Sequence, residues 1–142
     1  MAKVLYHIPV RTISEANRHE FWAKRAKRVK SHRQTAYAYT YKAIFDSELP
    51  LKDETCAFIV SMARISKRRL DSDNLYSSGK ACRDGIADAM GIDDGSTRLT
   101  WTYTQIDPFD DYKYGVMVEI AEYCGPKPPS KDFKFKLSGS EY

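Results

Sequence analysis

Hydrophobic and polar positions change period several times along the 142 residues, and each change marks an element. KVLYHIPV alternates Val4, Tyr6, Ile8 and Val10 against Lys3, Leu5 and His7, the period of two expected of a half-buried strand. Ser14 then offers an N-cap with Glu15 in the first turn. Beyond it Trp22, Ala26 and Val29 recur at helical spacing, while Arg18, Lys24, Arg25, Lys27, Arg28, Lys30 and Arg33 cover most of the remainder. TAYAYTYKAIF, residues 35–45, fits two templates. Tyr37, Tyr39 and Tyr41 alternate as in a strand, whereas Tyr37 with Tyr41 and Tyr41 with Ile44 share a helix face. Because no Gly or Pro intervenes after Ser14, one long helix to about Phe45 is the favoured reading, broken by Leu49-Pro50.

TCAFIVSMARI, residues 55–65, is apolar on both faces, as a central strand covered on two sides would be. Residues 74–90 return to helical spacing and stop at Gly91. RLTWTYTQI, residues 98–106, alternates Leu99, Trp101 and Tyr103 against threonines, and Val116, Val118 and Ile120 mark a last strand. FDDYKYG between these two strands suits a hairpin loop. The expected architecture is α+β: a mixed sheet of about four strands packed by a long N-terminal helix and a second helix. Residues 1–124 form one domain in this reading, and 125–142, rich in Pro, Lys and Ser, form a loosely held tail.

Composition narrows the class. A hydrophobic content of 42% is ordinary for a globular chain, and no run approaches the roughly 20 apolar residues of a membrane span. MAKVLYHIPVRT is too short and too polar for a secretory signal. The net charge of +4 is mild, so where the charges sit matters more than their sum. Cys56, Cys82 and Cys124 are far apart and form no CxxC pair, and His7, His19 and His32 lack zinc spacing. Buried free thiols in a reducing cytoplasm are the expectation.

The unusual stretch is RRLDSDNLYSSGK, residues 68–80, where Asp71, Asp73 and Asn74 stand between arginines and a lysine. Stepping about 100° per residue from Asp73 places Leu75, Gly79, Cys82, Ile86, Ala89 and Met90 on one apolar face. Ser77, Lys80, Asp84 and Asp88 then fall on the opposite side with Asp73, and an outward charged row suits a large substrate. Carboxylates at a strand end and a helix start suit a hard cation such as Mg²⁺, which takes oxygen ligands and keeps room for water and phosphate. Asp93 and Asp94 in GIDDGST add two acids in the turn after the helix. A strand starting near Arg98 beside the 55–65 strand is expected to carry Asp94 towards Asp71 and Asp73. Three carboxylates and a lysine would then activate water and stabilise charge on a phosphodiester. Plainer roles compete: Asp73-Asn74 as a helix cap, Lys80-Asp84 as an i,i+4 ion pair, and IDDGST as a turn. An EF-hand is excluded, because the sixth loop position is Tyr76 and the twelfth is Cys82.

Taken together, RRLDSDNLYSSGKACRDGIADAMGIDDGST resembles the core of the RusA-like Holliday junction resolvases: basic residues, D-x-D-N-L, a lysine and an aspartate on one helix, then D-D in the next turn. The resemblance is strongest over 64–105 and extends more weakly to TISEANRHEFWAKRAKR. It implies Asp71, Asp73 and Asp94 as metal-binding catalytic acids, with Asp93 as the adjacent acid, and Lys80 as the catalytic lysine. Lys80 departs from the pattern, lying about two helical turns beyond the acids where the best-known member has about one. Either the helix starts later or Lys80 contacts phosphate rather than the cleaved bond. The family implies Mg²⁺, with Mn²⁺ as a substitute, and a homodimer that nicks paired strands of four-way DNA junctions in a bacterial or phage-infected cytoplasm. Arg64, Lys67, Arg68, Arg69, Asn74, Arg25 and Arg28 become the DNA-binding set. The alternatives are a branched-DNA-binding protein without catalysis and a nuclease for other branched nucleic acids.

Overall fold

The structure, a computed structural model, describes residues 2–13 and 21–123 and the backbone of 136–137 and 140–141. β1 (Lys3–Ile8) is followed by α1 (Trp22–Phe45), β2 (Ala57–Ile65), α2 (Ser72–Met90), β3 (Leu99–Ile106) and β4 (Gly115–Tyr123). Two short strands, β5 (Lys136–Leu137) and β6 (Ser140–Glu141), pair antiparallel. Ser14 and most of the expected 125–142 tail lie outside the described residues. The ambiguous 35–45 stretch is helical, since Ala36 and Thr40 are fully buried four residues apart while Tyr37, Tyr39 and Tyr41 stay exposed. No helix among the described residues is long and apolar enough to cross a membrane.

The main sheet has the order β1-β4-β2-β3. β2 runs parallel to β3, and the other neighbours are antiparallel. This is the expected α+β architecture, with one correction. β3 and β4 are separated by β2, so FDDYKYG is a crossing connection rather than a hairpin loop. Its tip is a tight turn in which Phe109 and Tyr112 exchange backbone hydrogen bonds of 3.2 and 2.9 Å, with Asp110 at φ 48°.

One sheet face carries Ile8, Phe58, Val60, Met62, Val116, Val118 and Ile120, and these pack with Ala36, Cys82, Ile86 and Met90 from the helices in one core. The other face of β2 is buried as well, through Ala63 and Ile65 with Ile106 and Met117, as its doubly apolar sequence requires. α2 ends at Gly91, whose φ of 70° forms a left-handed cap that donates to the Ala87 and Asp88 carbonyls. Beyond the apolar face expected of it, α2 also buries Ser78, Ala81 and Gly85. The cause is α1, which crosses so closely that a Cβ on Gly85 would run into the Arg33 carbonyl oxygen and the Ala36 side chain. A hydrogen bond of 2.6 Å between the Tyr6 and Thr40 hydroxyls ties α1 to β1.

Of the cysteines, Cys82 meets the expectation and Cys56 departs from it. Cys82 is a free, fully buried thiol whose burial pushes its pKa up to about 12. Cys56 is disulfide-bonded, with its partner outside the described residues, so the cysteines no longer argue for a reducing compartment. Cysteine spacing cannot encode such a pairing, because the pairing depends on which chain ends the fold brings together.

At the helix crossing, Arg33 Nε and Nη2 donate to Asp88 at 2.7 and 3.0 Å. This hydrogen-bonded guanidinium holds the Asp88 carboxyl below the ordinary carboxylate range. The contribution is therefore present above the ordinary carboxylate pKa and is lost as pH falls through the lowered value. Both side chains are well exposed, at 51% and 40%, so Arg33→Ala is expected to cost less than about 1 kcal/mol. Gly85→Val forces α1 off α2 and is expected to cost about 3 kcal/mol or more. Urea denaturation of the two variants at neutral pH checks the ranking, and equal stabilities would contradict the close crossing.

Candidate active site

The acids are built onto the end of β2 by a locked loop. Arg64, second to last in β2, is buried at 7% exposure and turns its guanidinium along the loop. Its Nε donates to Thr12 Oγ1 at 2.9 Å and its Nη1 to the Arg68 carbonyl at 2.7 Å. From β3, the Gln105 side chain grips Leu70 from both sides, accepting from its N–H at 2.9 Å and donating to its carbonyl at 2.7 Å. Arg69 Nη1 donates to the Gln105 carbonyl at 3.0 Å. The backbone leading into Asp71 is thus fixed at Arg68 and Leu70, with the Arg69 side chain anchored between them.

Asp71 is the N-cap of α2. Its extended backbone (φ −68°, ψ 170°) lets Oδ1 accept from the Asn74 N–H at 2.9 Å. Asp73 lies in the first turn, where the positive helix end favours a carboxylate. Both acids are exposed, as are Lys67, Arg68 and Arg69. The cap role and an open carboxylate pair are therefore compatible, because one Asp71 oxygen serves the helix and Asp73 serves no cap.

The helix runs without interruption from Ser72, which removes the late-start alternative for Lys80. Lys80 is two turns from Asp73, about 10 Å along the axis. Its Nζ is 3.7 Å from Asp84 Oδ1 with 62% of the side chain exposed, the i,i+4 pair foreseen as the plain reading.

Asp94 does not join Asp71 and Asp73 within the chain. β3 is parallel to β2, so α2 must carry the chain back along the full sheet before β3 begins. After α2 the chain folds back only as far as Arg83, beside which Asp94 lies, and Arg83 is twelve residues, roughly 18 Å of helix, beyond Asp71. The convergence expected from a strand starting near Arg98 is therefore corrected. Among the described residues, no three of His, Cys, Asp and Glu gather as a metal-binding group. At the far end, Asp93 Oδ2 accepts from the Gly95 N–H at 3.1 Å, closing the turn. Asp94 accepts through its carbonyl from Trp101 Nε1 at 2.9 Å, and its carboxylate lies 3.6 Å from Arg83 Nε. Arg83 also stands over the Trp101 ring at 4.8 Å.

Two cationic groups gather at the Asp71 and Asp73 end. Lys67, Arg68 and Arg69 form the loop itself. The N-terminal half of α1 lies across a cleft of about 210 Å³ whose lining includes Arg25, Val29 and His32 on one side and Ser77, Ser78 and Lys80 on the other. Arg25 thus faces the half of α2 that begins at Asp71 and Asp73, and Arg28 follows it by three residues on α1. Arg64 does not fit its expected DNA-contact role, because it is buried and spends its donors on Thr12 and Arg68. Gln105 and Thr12 were missed. Gln105 interrupts the aromatic side of RLTWTYTQI, which is the one signal that pointed to it.

Compared with protein-family models and with curated proteins, the chain matches none.

Two measurements test this construction. Arg64→Ala is expected to cost more than about 2 kcal/mol, while Lys67→Ala and Arg68→Ala stay within about 0.5 kcal/mol. Asp71→Ala is expected to cost about 1 kcal/mol through the lost cap, and Asp71→Asn only a few tenths (roughly 0.3 kcal/mol). Denaturant midpoints that rank these variants otherwise would refute the locked loop or the cap.

Proposed function

We propose that the chain is a Mg²⁺-dependent endodeoxyribonuclease of the RusA-like kind, acting on branched DNA, four-way junctions foremost, as a two-fold homodimer. The observation that carries this reading is Asp71 and Asp73 standing exposed on a rigid loop and helix start, amid Lys67, Arg68 and Arg69. Two carboxylates fit part of the shell of a hard cation that otherwise takes water and phosphate oxygens, with Mn²⁺ as a substitute. A bound divalent ion would supply a more acidic water and polarise the phosphodiester. The chain's own groups would place the strand: Lys67, Arg68 and Arg69 hold phosphates beside the acids, and Lys80 holds one two turns along.

The third acid comes from a second copy in this reading. β3 is the last strand in the sheet order, so its outer edge is unpaired among the described residues. Joining that edge antiparallel to the same edge of another copy sets the two α2 helices side by side in opposite directions. The Asp93-Asp94 turn of one copy then lies beside Asp71 and Asp73 of the other. A two-fold pair of such sites matches a substrate in which two strands are cut.

Mixing variants gives the test. Asp73→Asn and Asp94→Asn are each expected to abolish cleavage of a synthetic four-way junction in Mg²⁺ while keeping junction binding. Co-refolded in equal amounts, they should recover about one quarter of wild-type nicking, because half the dimers then hold one intact site. Those products should be single nicks. No recovery would place the acids of each site in one chain or remove Asp94 from the site. Junction binding without cleavage in both Mg²⁺ and EDTA would favour the non-catalytic alternative. Equal cleavage of four-way, three-way, linear and RNA substrates would remove the junction label.

A further inference from the structure

Among the described residues, the first three turns of α1 contain no fully buried side chain. α1 buries only Ala36 and Thr40, both beyond its midpoint. At its start Phe21 and Trp22 are 78% and 77% exposed, the two most exposed large hydrophobic residues among those described. No acid occurs from Phe21 to Phe45, while Lys24, Arg25, Lys27, Arg28 and Lys30 crowd the first turns. Relative to Trp22, these five cations spread over roughly 220° of the helix circumference. Val29 points with Trp22, and that stripe continues into Ala36 and Thr40, which face the body of the protein.

These facts select an occupant. A helix that lies on a bilayer presents a continuous apolar stripe outward, whereas here the stripe turns onto the protein at Ala36 and Thr40 and its most exposed groups are confined to the start, at Phe21 and Trp22, among cations. A second copy of the same segment would meet its own positive charge. A polyanion with flat apolar faces satisfies both features, and nucleic acid at a branch offers phosphates from more than one arm together with unstacked bases. The cleft between α1 and α2 sets Arg25 and Val29 of this segment against Ser77, Ser78 and Lys80, in the half of α2 that begins at Asp71 and Asp73.

We propose that residues 21–30 form a branch-reading element: the cations of α1 hold phosphates of adjacent arms, and Phe21 and Trp22 stack on bases exposed at the branch point. This rests on the nucleic-acid reading above and adds to it the source of structure selectivity. Stacking tolerates any base sequence, so selection is for unstacked bases rather than for a sequence.

Binding is measured in EDTA, without cleavage, for the full chain on a four-way junction and on a linear duplex of the same sequence. The double variant Phe21→Ala/Trp22→Ala is expected to bind the junction about tenfold more weakly or worse, and the duplex within about twofold of wild type. Trp22→Phe keeps a ring and should restore most of the difference. Lys24→Glu/Lys27→Glu should weaken both substrates and flatten the salt dependence. A 2-aminopurine placed at the branch should change its fluorescence with wild type and not with the double variant. Unchanged junction affinity of the double variant, beside a wild type that binds, would overturn the element and leave the nuclease reading standing. A wild type that binds neither DNA would overturn both. Tighter binding to anionic phospholipid vesicles than to the junction at equal salt would assign the segment to membranes and overturn the proposal.

Discussion

A parallel pairing of neighbouring strands obliges the connection between them to travel back the length of the sheet. In this fold that obligation falls on the link from β2 to β3, and α2 discharges it. Much else depends on this. Asp71 caps the start of that rigid element while Asp94 is held against Arg83 further along it, Cys82 and Ile86 are pressed onto the sheet, and α1 is received at Gly85. An antiparallel hairpin between β2 and β3 would have needed no helix at all and would have left the acids on a mobile loop.

Rigidity at the acid end comes from polar groups rather than from the core. Arg64 is a buried cation whose bonds go to Thr12 and to a loop carbonyl, and its burial makes its charged form less favourable than in water. Gln105 completes the clamp on Leu70. Such networks are costly when incomplete and stiff when satisfied, which is the property a carboxylate pair needs if it is to keep its spacing while strands of like charge approach. In the proposed nuclease reading, the neighbouring cations would offset the repulsion between those acids and phosphate.

Legibility in the sequence followed the range of the interaction. The elements were readable because period and punctuation are local: the Val4-to-Ile8 alternation, the α2 apolar face and the Gly91 stop all sit within one element. The 35–45 stretch settled as helix because Ala36 and Thr40 found partners across the fold, which no local pattern shows. The hairpin expected at FDDYKYG failed for the same reason, since strand order is a long-range property. Asp71, Asp73 and the flanking cations emerged where residue types alone suggested them. Convergence with Asp94 did not: β3 does lie beside β2, but the parallel pairing starts it at the Phe58 end, away from Asp71. Arg64 was read by its charge, and only burial revealed that it props the loop.

The length of α2 has a further consequence. If two copies pair about the β3 edge, each composite site sits near one end of the helix pair. The span between the two points of attack is then about the stretch of α2 from Asp71 to Arg83, which Asp94 meets, roughly 18 Å. Measured along a single strand at about 3.4 Å per nucleotide, that distance is about five steps. The helix would act as a ruler, and removing one turn would draw the paired incisions together by about 5 Å without touching a single group that meets the DNA.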